Sequence, residues 1–423
     1  MSQQLERVIE RPGMKYHFVK TDKYKTNLIV LKGRAPLNKK DATIRALLPH
    51  VLQSGTNTYP TITELRSYLE ELYGALFFTD LQKKGENHII SFWLEVANEK
   101  FLSDETPLLK KGLTLLADVL LNPKTDGERF DEDIVNKEKR TLKQRIQSVY
   151  DDKMRYANLR LVEEMCKGEP YAIPVNGLLE DVDSISSEDL YRYYQKVLDQ
   201  DEFDLYIIGD FNEDEVTELC DELFPLKGRK LQAPVKTNPQ AREEKTVVER
   251  EDVLQGKLNI GYRTNITYGD EDYFALQVFN GLFGGFPHSK LFMNVRERAS
   301  LAYYAASRLE SHKGLLLVMT GIEPKNFEKA KSIIQEQMEA MKKGDFTEEQ
   351  LAQTKAVIQN QMLETLDTAR GLTEVLYHNI IAKTDITANE WKEKIRLVTK
   401  EDVVKVGEKI QADTIYFLTG LEG

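Results

Sequence analysis

Phe130-Asp131-Glu132-Asp133 opens one long helix-like stretch that runs to Val149. Phe346-Thr347-Glu348-Glu349 opens a second that runs to Leu366. The likeness extends outward in both directions. Before the first junction lie a strand pair, Phe77 to Gln82 and Ile89 to Val96, and a helix from Pro107 to Leu121. Before the second lie the strands Ala302 to Leu309 and Gly314 to Gly321 and a helix from Lys325 to Met341. After the first come Ser187-Glu188-Asp189-Leu190 and the strand Leu205 to Ile208. After the second come Thr399-Lys400-Glu401-Asp402-Val403 and the strand Thr414 to Leu418. A repeat this long is a duplicated domain, because solenoid repeats have periods of roughly 20 to 50 residues. Helices following paired strands predict an α+β sandwich, with a mixed or antiparallel sheet covered on one face.

The expected division is a first domain over 1–225, a linker over 226–245 and a second domain over 246–423. The linker reads Pro-Leu-Lys-Gly-Arg-Lys and then Ala-Pro-Val-Lys-Thr-Asn-Pro-Gln, with little apolar periodicity. Within the first half, Tyr16 to Lys20 and Lys25 to Leu31 read as strands. Asp41 offers an N-cap for a helix through Leu52 that stops at Gly55. Thr61 caps a helix from Glu64 to Tyr73, with Leu65, Tyr68, Leu69 and Leu72 as its apolar stripe. The second half starts with a strand at Leu258 to Arg263 and a helix from Glu271 to Leu282. The turn Gly284-Gly285 then opens a helix through Arg298.

Composition narrows the function classes. The chain has 423 residues, 41% hydrophobic and 30% charged, which is the profile of a well-cored protein in water. Its net charge of −11 argues against a nucleic-acid surface. Cys166 and Cys220 show no Cys-x-x-Cys spacing, so a reducing compartment is expected. Met1 to Lys15 lacks the apolar core of a signal peptide. The longest apolar runs fall short of the roughly 18 residues that a membrane span needs. A cytoplasmic protein without membrane or nucleic-acid partners is expected.

The chemistry turns on Arg45-Ala46-Leu47-Leu48-Pro49-His50-Val51-Leu52-Gln53-Ser54-Gly55-Thr56. On a helix, positions 46, 49 and 50 share a face. The zinc motif H-x-x-E-H would place two imidazoles and a general-base carboxylate there. Here those positions hold Ala46, Pro49 and His50. One imidazole cannot hold a catalytic zinc, which needs three protein ligands and an open position. Pro49 lacks an N–H and crowds the preceding turn, so a kink is expected there.

The order of elements, Gly55-Thr56 and the segment from Ser289 to Tyr303 (Ser-Lys-Leu-Phe-Met-Asn-Val-Arg-Glu-Arg-Ala-Ser-Leu-Ala-Tyr) resemble the pitrilysin/insulinase-type metallopeptidases, the inverzincins. Pro174-Val175-Asn176-Gly177 and Gly209-Asp210 are further landmarks of that resemblance, which covers essentially the whole chain. It implies two duplicated α/β-roll domains and places the chain in a non-catalytic bacterial branch. It also implies that a Glu on the long helix would be the third zinc ligand. With Glu138 as the acidic position seven residues before it, that slot holds Arg145, a cation that repels zinc. No metal or other cofactor is expected.

The same resemblance implies a role for Arg296 and Tyr303. In the family, an Arg and a Tyr seven residues on reach from the C-terminal half over the zinc site. Arg offers a rigid fork of donors, and a Tyr hydroxyl can donate to an oxyanion. With no zinc in its own chain, the pair would act in trans on a homologous, zinc-bearing partner in a heterodimer that takes peptides or unfolded protein. The alternative is a non-hydrolytic peptide- or protein-binding scaffold, which the resemblance links to elongation factor P modification. Gly281-Leu282-Phe283-Gly284-Gly285-Phe286 lacks phosphate-loop spacing and reads as a structural turn. His17, His88, His288, His312 and His378 show no ligand spacing.

Overall fold

The computed structural model describes residues 6–104, 106–229 and 243–421. In chain order the first half contains β1 (Arg7–Arg11), β2 (Met14–Lys20), β3 (Thr26–Pro36), α1 (Ala42–Ser54), α2 (Ile62–Glu71), β4 (Leu76–Lys84), β5 (Asn87–Ala97), α3 (Leu108–Leu121), α4 (Glu132–Asp151), α5 (Lys153–Met165), α6 (Ser187–Gln200), β6 (Glu202–Gly209) and α7 (Glu213–Leu223). The second half contains β7 (Lys245–Arg250), β8 (Gly256–Arg263), α8 (Tyr273–Asn280), β9 (Ala302–Glu310), β10 (Leu315–Ile322), α9 (Phe327–Lys342), α10 (Glu348–Leu366), α11 (Ala369–Ala382), α12 (Ala388–Leu397), α13 (Lys400–Lys409) and β11 (Gln411–Thr419). Two π-helical segments, Gly281–Gly285 and Phe292–Arg298, lie between α8 and β9.

The chain separates into two units. One is Met1–Gln147 with Ile173–Val235, and the other is Ser148–Ala172 with Lys236–Gly423. Much of the expected linker, residues 230–242, lies outside the described residues. Helix α5 lies in the first half of the sequence yet belongs to the second unit. Nothing in its sequence pattern announces this, because an amphipathic stripe does not name the surface it will cover.

The first unit holds a six-stranded sheet in the order β1-β2-β6-β3-β5-β4. Only β2 and β6 run parallel, and the other pairs are antiparallel. Helix α3 lies on one face. Gly112 permits the approach, since a Cβ there would stand 3.1 Å from Ile29 Cδ1 and 3.2 Å from Val96 Cγ1. The expected N-cap Thr61 closes a full capping box with Glu64. Gly85, at φ +57°, turns the β4–β5 hairpin, so Lys83-Lys84-Gly85 is a hairpin tip.

The second unit repeats the plan with five strands in the order β7-β11-β8-β10-β9, β7 and β11 being parallel. Leu315, Leu316, Leu317 and Val318 are all buried. Leu316 and Val318 join the main core with Ile260, Phe279, Ile334 and Val406. Leu315 and Leu317 face the other way and pack with Tyr156, Leu161 and Met165 of α5. This sheet is therefore covered on both faces, where cover on one face was expected. The unbroken apolar run in β10 is the sequence signature of that double burial.

Candidate functional site

Helix α1 is held at its start by a buried ion pair. Arg45 Nη2 donates to Asp201 Oδ2 at 2.6 Å and to the carbonyl of Gly33 at 2.9 Å. Thr43 Oγ1 accepts from the Leu178 amide at 3.0 Å and donates to Asp181 Oδ2 at 3.1 Å. The Pro174–Gly177 loop thus docks on the first turn of α1. Gly177 sits at φ +72°, and a Cβ there would collide with Thr43. With these anchors, α1 runs from Ala42 to Ser54 as a single helix despite Pro49.

Ala46 is fully buried, and Pro49 is buried beside it. His50 Nδ1 pairs with Thr79 Oγ1 of β4 at 3.1 Å, and that hydroxyl also donates to Gln53 Oε1 at 3.0 Å. One turn on, Ser54 Oγ donates to Glu138 Oε1 of α4 at 3.0 Å. Burial, and then the positive charge of Arg145, push the His50 imidazole down to about 3. Burial also lowers Arg145, and Glu138 opposes that shift. The structure thus brings His50, Glu138 and Arg145 into one electrostatic neighbourhood at the α1–α4 crossing. Thr79, Gln53 and Ser54 complete it, and none of the three stood out in the sequence. The donor set does not fit zinc. It offers one imidazole already engaged by a hydroxyl, one carboxylate engaged by a serine, and a guanidinium. Among the described residues no group of three His, Cys, Asp or Glu side chains could hold a metal ion.

Arg296 and Tyr303 lie in the second unit. The expected helix through Arg298 is π-helical over Phe292–Arg298. The Ala299 amide bonds to the Asn294 carbonyl, five residues back, at 3.2 Å. Ser300 follows at φ +50°, a left-handed conformation that costs a non-glycine residue free energy. Tyr303 is the second residue of β9, the edge strand of its sheet, and is 69% exposed. Arg296 is exposed as well; its Nε lies 3.7 Å from Glu297 Oε1. Strain and π-turns concentrate at working sites.

One expectation about the remaining motifs changes, and one pair of histidines gains a partner. The segment Gly281–Gly285 is a π-helical continuation of α8, not a turn. Gly284 is needed because a Cβ there would stand 2.8 Å from the Ser307 amide of β9. His312 and His378, apparently scattered, have ring nitrogens 2.6 Å apart. Their rings lie 11° from coplanar with centroids 4.9 Å apart. That in-line geometry is a single N–H···N hydrogen bond. Lone pairs that shared a metal would converge on a common point instead.

Among known proteins, one with which the chain is 58% identical over 97% of both sequences is YmfF of Bacillus subtilis, described as a probable inactive metalloprotease. The chain belongs to the M16 peptidase family. The model of the M16 peptidase inactive domain matches residues 184–358. YmxG of Bacillus subtilis, described as a zinc protease, is 23% identical over 61% of this chain and 62% of its own. A conserved protein from Enterococcus faecalis superposes with a TM-score of 0.91 at 35% identity over 99% of both chains. A protease from Helicobacter pylori shares the fold at TM-score 0.84 and 17% identity, over 98% of this chain and 99% of its own. The chain is an inactive M16 metalloprotease homologue. Among the described residues no helix is long and apolar enough to cross a membrane.

Proposed function

We propose that this M16 chain is the non-catalytic half of a cytoplasmic, two-subunit zinc endopeptidase and completes its partner's active site with Arg296 and Tyr303. The observation that carries this reading is an asymmetry between two constellations. Of the three ligand positions that the resemblance implies, two hold Ala46 and Arg145, which leaves His50 alone, and Pro49 stands in place of the general base. The Arg296–Tyr303 segment keeps a strained, exposed form at an edge strand. Folding strain at a surface with no use in the chain itself is supported by use in a complex. The partner in this reading is a homologue with an intact H-x-x-E-H, and the substrate is a peptide or unfolded segment. Arg296 would hold the substrate backbone, and the Tyr303 hydroxyl would donate to the developing oxyanion.

Co-expression with such a homologue tests this. Tyr303→Phe should lower kcat/KM of the complex about 10²-fold, the scale of one lost oxyanion donor, without dissociating it. Arg296→Ala should also lower it. Full activity in both variants removes the in-trans role. A second reading, a non-hydrolytic peptide scaffold, is favoured by β4, an edge strand whose outer backbone groups can pair with an extended peptide. It predicts peptide binding that needs no partner and is insensitive to chelators.

A further inference from the structure

We infer that Phe292 is a positioning residue that holds the Arg296 guanidinium ready for its ligand, an inference resting on the in-trans reading above. The Arg296 Cζ lies 4.6 Å from the centroid of the Phe292 ring, four residues earlier on the same π-helical segment. A guanidinium is planar and weakly hydrated, so it lies flat on an aromatic face while its N–H donors stay free at the rim. The ring's own segment is fixed. Leu291 and Val295 on either side of it are fully buried in the core. Asn294 Nδ2 donates to the Lys290 carbonyl at 2.9 Å and to Gln337 Oε1 of α9 at 2.8 Å. Its Oδ1 accepts from Arg298 Nη1 at 3.1 Å. Phe292 thus forms a platform on an anchored turn, and Glu297 Oε1 lies 3.7 Å from the Nε of the same guanidinium. An exposed arginine without such a platform samples many rotamers and must be ordered each time it engages a ligand. Leucine at 292 would keep the apolar bulk and lose the π face.

The test has two arms. In the isolated full-length chain, the rate at which phenylglyoxal modifies Arg296 is read by peptide mass mapping, with Arg298 as internal reference. Phe292→Leu should raise the Arg296 rate about three- to fivefold, the scale of an exposed cation–π contact, and Phe292→Tyr should leave it near the wild-type value. An unchanged rate in Phe292→Leu, with a wild-type thermal midpoint, overturns the positioning role. In the complex with the zinc-bearing homologue, Phe292→Leu should lower kcat/KM for a fluorogenic peptide by a similar factor, and Phe292→Tyr should restore it. A raised modification rate with unchanged peptidase activity overturns the in-trans reading and leaves the contact itself intact, so the two failures are told apart.

Discussion

Ser54 at the end of α1, one turn on from His50, donates to Glu138 of α4 at 3.0 Å, so this carboxylate is engaged by a serine. The acceptor is therefore committed to holding two helices together. What remains beside it is His50, pressed toward its neutral form by burial and by Arg145.

The purified chain should hold no stoichiometric zinc. Ala46→His combined with Arg145→Glu would set two imidazoles and a carboxylate around the His50 face and remove the repelling cation. Equilibrium dialysis followed by elemental analysis should find close to one zinc per double-variant chain. Equal, negligible uptake by wild type and variant would show that the α1–α4 crossing does not present the two positions to a common point.

The Arg45–Asp201 pair is buried at both ends. Arg45→Ala strands the carboxylate of Asp201 and should cost about 3–5 kcal/mol in urea titration. Replacing both residues by apolar side chains of similar volume should cost much less. If the double replacement is as damaging as Arg45→Ala, desolvation of the orphan charge is not the cause.

His17 of β2 contacts Asp204 at 3.0 Å and Glu6 at 2.8 Å. Burial alone would depress this imidazole, but the two carboxylates outweigh it and raise the ring to about 9 from an ordinary 6.5. The folded state therefore binds the proton more tightly than the unfolded state. This contribution is complete below pH 6.5 and is lost as pH rises through about 9. Its size should be on the order of 3 kcal/mol. Denaturation midpoints of wild type should fall across that window, and those of His17→Phe should fall less. Parallel curves would exclude the charged imidazole as the source.

Gly177→Ala places a side chain at φ +72° against Thr43. A loss of about 1–3 kcal/mol is expected from backbone strain and from displacement of the loop that docks on α1. Thr43→Ser, which keeps the hydroxyl bonds to Leu178 and Asp181, should be close to neutral in the same melt.

The duplication was legible in the order of strands and helices, since hydrophobic periods of 2 and 3.6 are local properties of the backbone. So was Thr61 as a helix start, because a cap is satisfied within three residues. The poverty of zinc ligands was legible too, because ligand chemistry belongs to single side chains: Ala46 and Pro49 have no donor wherever the fold carries them. Tertiary structure alone assigned α5 to the second unit, paired His312 with His378 and His17 with Asp204, and gave Arg296 its seat on Phe292. Each of these is a choice of partner, several of them across long stretches of sequence. Periodicity states that a face must be covered, and only the packed chain decides by what.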